Sequence, residues 1–327
     1  GVGRSHPRVA AGGETITAFH RELRAGRFIP PVRLSRFFVE MMQKQRPTGV
    51  VPPEDVLIED AFVPASEGRP ALRVRVYRPS KSRPDRPLVY WMHGGGYVYG
   101  NPEMNDTVSV GKVRDLGAVV VSVDYRVAPK NPYPAALDDA QAGLEWAIEN
   151  AEMLGIDTTR IAVGGVSAGG GLAAALVLKL HDEGLITPLL QVLVYPMLDD
   201  RSVLRKHHPK NMRVWLPQNN RFGWRAYLAA EPGSSGITDY QAPARRRNFT
   251  GLAPAWIGVG TTDLFHDEDL EYARQLKAAG VSCSLHVVEG AFHGFDAVFA
   301  STAVAQEFES RQREALREAF GLAGAKD

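Results

Sequence analysis

The sequence predicts an α/β fold built on a mostly parallel, eight-stranded sheet flanked by helices. Three observations predict it. From Leu88 onward, short runs rich in Val, Ile and Leu alternate with longer stretches of helical spacing, the pattern of parallel strands joined by crossover helices. Most of those runs are apolar throughout, as strands covered on both faces should be. Upstream, residues 56–64 and 72–79 alternate apolar with polar side chains, which suits an antiparallel pair at the edge of the sheet.

In chain order, the remaining strands are expected at 88–91, 119–124, 161–165, 189–195, 255–260 and 284–288. Helices are expected at 135–150, 168–180, 267–279 and 303–320. In the third of these Leu270, Ala273, Leu276 and Lys277 share a face. Two stretches fall outside the alternation. Residues 1–50 contain a helix around 34–45, where Phe37, Phe38, Met41 and Met42 offer more apolar surface than a solvated tail needs. Residues 199–241 mix His207, His208, Trp215, Trp224 and Tyr227 with Pro, Gly and charges, and read as an insertion between two strands. Both are expected to form a helical cap over the site, on a catalytic α/β domain made of 51–198 and 242–327. A chain of 327 residues is near the limit of one core, and it has no repeat or low-complexity linker to divide it.

Composition narrows the function classes. With 44% hydrophobic and 23% charged residues and 38 basic against 37 acidic side chains, the formal charge is +1, which gives no reason to expect nucleic acid. The one basic run, Arg245-Arg246-Arg247, reads as a solvated surface turn. Cys283 is the only cysteine, so no internal disulfide forms and no oxidising compartment is required. Residues 1–13 lack the apolar core of a signal peptide, and no run of 18 apolar residues offers a membrane span, so the cytoplasm is the expected location.

Two motifs carry chemistry. Gly165-Val166-Ser167-Ala168-Gly169 fits G-x-S-x-G, directly after the strand at 161–165 and before a helix of small residues. A strand turning sharply into a helix forces the serine into strained backbone, and side chains in place of the flanking glycines would collide with their neighbours. The pentapeptide alone is a weak signal, since a Gly-rich turn with an incidental serine looks the same. Its placement makes it strong. A phosphate-cradling loop is the competing reading, but the lysine of G-x-x-x-x-G-K-[ST] is missing. The second motif, His93-Gly94-Gly95-Gly96-Tyr97, follows the strand at 88–91. A glycine run lets bare amides approach an oxygen that becomes negatively charged in acyl transfer. Gly95 and Gly96, with Ala168 at the positive end of the next helix, are the candidate oxyanion hole. His93 is assigned a structural role.

Among the nine histidines, His293 in Gly290-Ala291-Phe292-His293-Gly294-Phe295 follows the strand at 284–288, where side chains emerge at the carboxyl edge of the sheet. His286 lies inside that strand, and His266 suits a helix start. Asp263 follows the strand at 255–260 and is the candidate orienting acid; Asp267, Glu268 and Asp269 open the next helix, where its dipole favours acids. The chain order Ser167, Asp263, His293 is that of α/β-hydrolases.

Together these residues resemble the hormone-sensitive-lipase-like branch of the α/β-hydrolases, the bacterial esterases marked by HGGG upstream of GxSAG. The resemblance runs from about Leu88 to Phe299. It includes Asp124-Tyr125-Arg126-Val127-Ala128-Pro129, Tyr133-Pro134-Ala135-Ala136, Asp138-Asp139, Tyr195-Pro196, Asp263-Leu264-Phe265 with Asp267-Glu268, and His293-Gly294-Phe295. Val166 stands where many members have Asp, Gly171 where many have Asn, and Lys130 where Glu usually follows Ala-Pro. The resemblance implies an α/β-hydrolase fold with a cap, short- or medium-chain carboxylic esters as small-molecule substrates, no cofactor or metal, and frequent homodimers. Tyr97, Trp215, Phe222, Trp224 and Phe292 are candidates to line the substrate pocket. The expected activity is a carboxylesterase working by a Ser-His-Asp acyl-enzyme mechanism. Amidase, lactonase or carbamate hydrolysis on the same residues is the alternative, because the three residues do not distinguish leaving groups. A ligand-binding member that lost catalysis is disfavoured by the intact base, and a peptidase by the lack of room for its extra domain.

Overall fold

Apolar runs become strands here because both of their faces find cover. The structure is a computed structural model that describes residues 18–45 and 47–323. Its strands are β1 (Val56–Val63), β2 (Leu72–Pro79), β3 (Arg86–Met92), β4 (Val119–Val123), β5 (Ile156–Val166), β6 (Leu190–Val194), β7 (Ala255–Gly260) and β8 (Cys283–Val288). They form one sheet in the order β1-β2-β4-β3-β5-β6-β7-β8. β1 and β2 run antiparallel to each other, β2 runs antiparallel to β4, and every pair from β4 to β8 is parallel. In β3, Leu88, Tyr90 and Met92 bury on one face while Val89 and Trp91 bury on the other. The sheet thus separates two apolar clusters.

The helices are α1 (Arg36–Lys44), α2 (Asp106–Leu116), α3 (Ala135–Glu149), α4 (Ala151–Leu154), α5 (Ala168–Asp182), α6 (Pro217–Leu228), α7 (His266–Ala278), α8 (Phe295–Val298) and α9 (Ala303–Ala319). α2 has no counterpart among the sequence-based expectations. Its three valines and Gly111 weigh against helix, yet Val110, Val113 and Leu116 bury in the second cluster, and Gly117 at φ 61° ends the helix in a left-handed cap. Tertiary burial overrides propensity there. β5 starts five residues earlier than expected, because the polar stretch 157–160 hides its first half.

The helix expected at 34–45 is α1, started by Ser35, whose hydroxyl accepts from the Phe38 amide at 3.2 Å. Its apolar residues divide: Val39 is buried, whereas Phe37 and Met41 stand exposed. The first 17 residues and Arg46 of the expected cap lie outside the described residues. The insertion at 199–241 folds as a short 3₁₀ turn (Asp200–Leu204) followed by α6.

The basic run is more than a solvated turn. Arg245 holds the buried Asp200 with two hydrogen bonds of 2.7 and 2.8 Å, and Arg246 bonds Asp182 and Asp239; only Arg247 of the three is exposed. Bidentate guanidinium–carboxylate pairs fix the root of the insertion. Among the described residues, no helix is long and apolar enough to cross a membrane.

α2 also buries a lysine. Lys112 is almost fully enclosed, with its ammonium 4.2 Å from the Trp91 ring centroid. Burial lowers its pKa from 10.5 to about 8, with the Glu309 carboxylate pulling the other way. The unfolded chain holds that proton more tightly, so this group adds stability as pH rises from about 8 to 10.5. Lys112→Met is expected to stabilise the protein by about 1–3 kcal/mol at pH 7, after loss of the ring contact. In denaturant unfolding the gain should shrink at pH 10; an equal gain at both pH values would contradict the burial account.

Candidate active site

Ser167 sits on a bend that only its neighbours make possible. β5 ends at Val166 and α5 begins at Ala168, leaving Ser167 at φ 57°, ψ −118°, a region costly for any residue with a side chain. Its amide donates to the Val194 carbonyl, and its own carbonyl accepts from the Met197 and Gly171 amides. A Cβ on Gly165 would lie 2.3 Å from the Gly169 carbonyl oxygen, and one on Gly169 would lie 2.3 Å from the carbonyl oxygens of both Met92 and His93. The end of β3 is therefore pressed directly onto the bend.

Two loops at the carboxyl edge bring the other groups. Asp263 follows β7 and is fully buried; His293 follows β8 and is 4% exposed. The loops hold each other, since Thr262 N donates to the Ala291 carbonyl and Gly260 leaves no space for a Cβ beside that same oxygen. His293 Nδ1 lies 2.8 Å from Asp263 Oδ2, and His293 Nε2 lies 2.9 Å from Ser167 Oγ. A carboxylate can only accept, so Nδ1 carries the ring proton and Nε2 is left to accept from the serine hydroxyl. The second carboxylate oxygen of Asp263 accepts from Phe265 N at 2.9 Å. The three residues form one hydrogen-bonded line.

The glycine-rich loop lies beside it. A Cβ on Gly94 would stand 3.5 Å from Ser167 Cβ, and Gly95 and Gly96 take φ 120° and 59°, turning the loop tightly so that Val98 and Tyr99 donate to the Gly95 carbonyl. Ala168 is the first residue of α5, where amides lack intrahelical acceptors. His93 is buried, stacks on Tyr125 at 4.2 Å, and uses Nδ1 on the Gly94 carbonyl. Burial lowers its pKa to about 4, so the ring stays neutral and braces the loop.

The five aromatic candidates separate. Trp215 is 3% exposed, its ring fills the space beside Gly96, and its centroid is 6.5 Å from that of His293. Tyr97 is buried and stacked on Tyr227, with the buried Trp224 ring tilted against both. Phe222 is half-buried at the edge of the same cluster. Phe292 belongs to the opposite cluster, edge-on to Phe19 and Phe299, where it anchors the N-terminal segment. Tyr195 and Phe265, named in the family resemblance without a site role, pack their rings edge-on against His293 at 4.6 and 5.1 Å. Tyr195 is strained at φ 33°, and its hydroxyl bonds Asp296 at 2.8 Å. Burial, reinforced by Glu309, raises the Asp296 pKa to about 6. Gly171 has a local cause as well: a Cβ there would meet the Met197 carbonyl oxygen at 2.1 Å and the Tyr97 hydroxyl at 2.6 Å.

A serine, an imidazole and a carboxylate on strand-end loops of a largely parallel sheet describe a class before any protein is compared. The model of a family described as having the alpha/beta hydrolase fold matches residues 89–297, and the chain belongs to that family. It is 36% identical over 279 residues to carboxylesterase NlhH of Mycobacterium tuberculosis, covering 82% of this chain and 86% of the relative. It is 35% identical over 242 residues to ethyl acetate hydrolase of Pseudomonas putida, covering 73% and 75%. A solved bacterial heroin esterase is similar along 94% of this chain and 99% of its own, at 33% identity and a TM-score of 0.84. Within the family this is a serine hydrolase of carboxylic esters, in the hormone-sensitive-lipase-like branch.

Gly169→Ala forces a methyl group against two backbone carbonyls that no side-chain rotation can clear. It is expected to cost about 3 kcal/mol in denaturant unfolding. A variant as stable as the parent would refute the packing at the bend.

Proposed function

We propose that this chain hydrolyses short- to medium-chain carboxylic esters through an acyl-enzyme, with Ser167 as nucleophile, His293 as base and Asp263 as the orienting acid. The supporting observation is the line from Asp263 Oδ2 through His293 to Ser167 Oγ, with both hydrogen bonds under 3 Å. In this reading Ser167 Oγ attacks the ester carbonyl carbon while its proton passes to His293 Nε2. The tetrahedral oxyanion lies against the amides of Gly95, Gly96 and Ala168. His293 then gives the proton to the departing alcohol oxygen as the carbon–oxygen bond breaks. A water adds by the same route, His293 taking its proton and returning it to Ser167 as the acid leaves. Asp263 holds the tautomer and steadies the imidazolium.

A cover supports the substrate class. Ser167 is 5% exposed, and Trp215 closes the space beside Gly96. The described part of residues 1–50, together with residues 199–241, acts as the cap in this reading, and the insertion must shift to admit an ester. Little room beside the serine favours compact acyl groups, in keeping with a relative named for ethyl acetate.

Ser167→Ala is expected to lower turnover of p-nitrophenyl acetate by about 10⁶. Asp263→Asn should lower it by about 10⁴ through loss of the correct tautomer. Labelling with a fluorophosphonate, followed by peptide mapping, should place the adduct on Ser167. Near-parental turnover by the alanine variant, or an adduct on another serine, would refute the assignment. Rates across acyl lengths test the chain-length range, and a maximum at long chains would refute the compact pocket.

A further inference from the structure

The segment 21–45 combines exposed apolar side chains with concentrated positive charge. Phe28 and Phe37 are 73% and 78% exposed, and Val32 and Met41 are 45% and 36% exposed. Arg21, Arg24, Arg27, Arg33, Arg36 and Lys44 are all exposed, against two carboxylates, Glu22 and Glu40. Six cations against two anions leave this short stretch at +4, whereas the whole chain carries +1. The Arg27 guanidinium lies 4.6 Å over the Phe28 ring, so charge and apolar surface meet at the same place.

Four exposed apolar side chains interleaved with exposed cations along one segment suit a partner that accepts rings and cations together. A second copy of the chain would bring the same positive charge to the contact. Residues 1–17 add two arginines, one glutamate and no Phe, Tyr or Trp, so their composition does not complement the surface. The boundary of an anionic lipid layer meets both demands, because its acyl region takes Phe and Met while its phosphates meet guanidinium groups.

We infer that segment 21–45 docks the protein on anionic lipid surfaces. The docking surface is joined to the residues over Ser167: Asn219 accepts from Leu34 N at 2.9 Å and donates to the Val32 carbonyl at 2.8 Å, and Arg213 donates to the Gly26 carbonyl at 3.0 Å. Docking therefore sets the segment that carries Trp215 beside the lipid. The inference rests on exposure and charge and stands apart from the proposed catalytic roles.

Co-sedimentation of the full chain with vesicles tests it. The chain is expected to sediment with phosphatidylglycerol/phosphatidylcholine vesicles, to stay in solution with phosphatidylcholine alone, and to be released by high salt. Each basic residue near such a surface is worth about fivefold in affinity, so Arg33→Gln/Arg36→Gln should bind at least about tenfold more weakly. Phe28→Ser/Phe37→Ser should also lose binding, and both variants should keep parental melting and far-ultraviolet circular dichroism, which shows that they fold. Failure of the parent to bind phosphatidylglycerol vesicles, equal binding to phosphatidylcholine, or parental binding by the folded variants would overturn the inference. So would a dimer that the phenylalanine variant dissolves without any vesicle binding.

Discussion

The close approach of two backbones, β3 against the bend after β5, is the constraint from which the site follows. The carbonyl oxygens of Met92 and His93 occupy the space where residue 169 would carry a side chain. Glycine on both sides lets the chain reverse within one residue, and Ser167 is held at a positive φ just before α5. The same contact brings the glycine-rich loop alongside, because that loop continues from the strand end that touches the bend. Ser167 and the glycine-rich loop are thus placed by one packing event and not by two independent loops.

The imidazole and carboxylate depend on a second backbone contact of the same kind. Gly260 lets the carbonyl of Ala291 come close, and Thr262 bonds to it, so the loops after β7 and β8 form a single unit. Aromatic rings from Tyr195, Phe265 and Trp215 then surround His293. Rotation of the imidazole is opposed on several sides before any substrate is present, which is the preorganisation that electrostatic catalysis requires. Buried ion pairs such as Arg245 with Asp200 extend this rigidity to the root of the insertion.

What the sequence made legible was whatever depends on local order. Ser167, Asp263 and His293 each lie just beyond an apolar run, and a parallel sheet delivers all such positions to one edge, so their convergence could be expected from spacing alone. Side-chain neighbours contributed by distant segments were not legible. Nothing in a list of aromatics says that Phe292 faces the cluster opposite Trp224, because that depends on which face of the sheet each loop returns to. Tyr195 and Phe265 reach His293 from the ends of separate strands. Arg245 and Arg246 looked solvated because Asp200 and Asp182, which they bind, lie 45 and 64 residues away, although Asp239, the other acid on Arg246, is 7 residues away. α2 was hidden by valines that favour strands in isolation and bury well on a helix in context.

Trp215 gives the molecule an optical property of its own. Four other tryptophans are present, at 91, 146, 224 and 256, and all are buried in packed clusters, Trp224 against Tyr97. The indole at 215 rests on Gly96 with the imidazole of His293 nearby. If the insertion shifts as proposed, the surroundings of Trp215 change, and with them those of Trp224 on the same insertion, so the colour of the intrinsic emission would follow that movement.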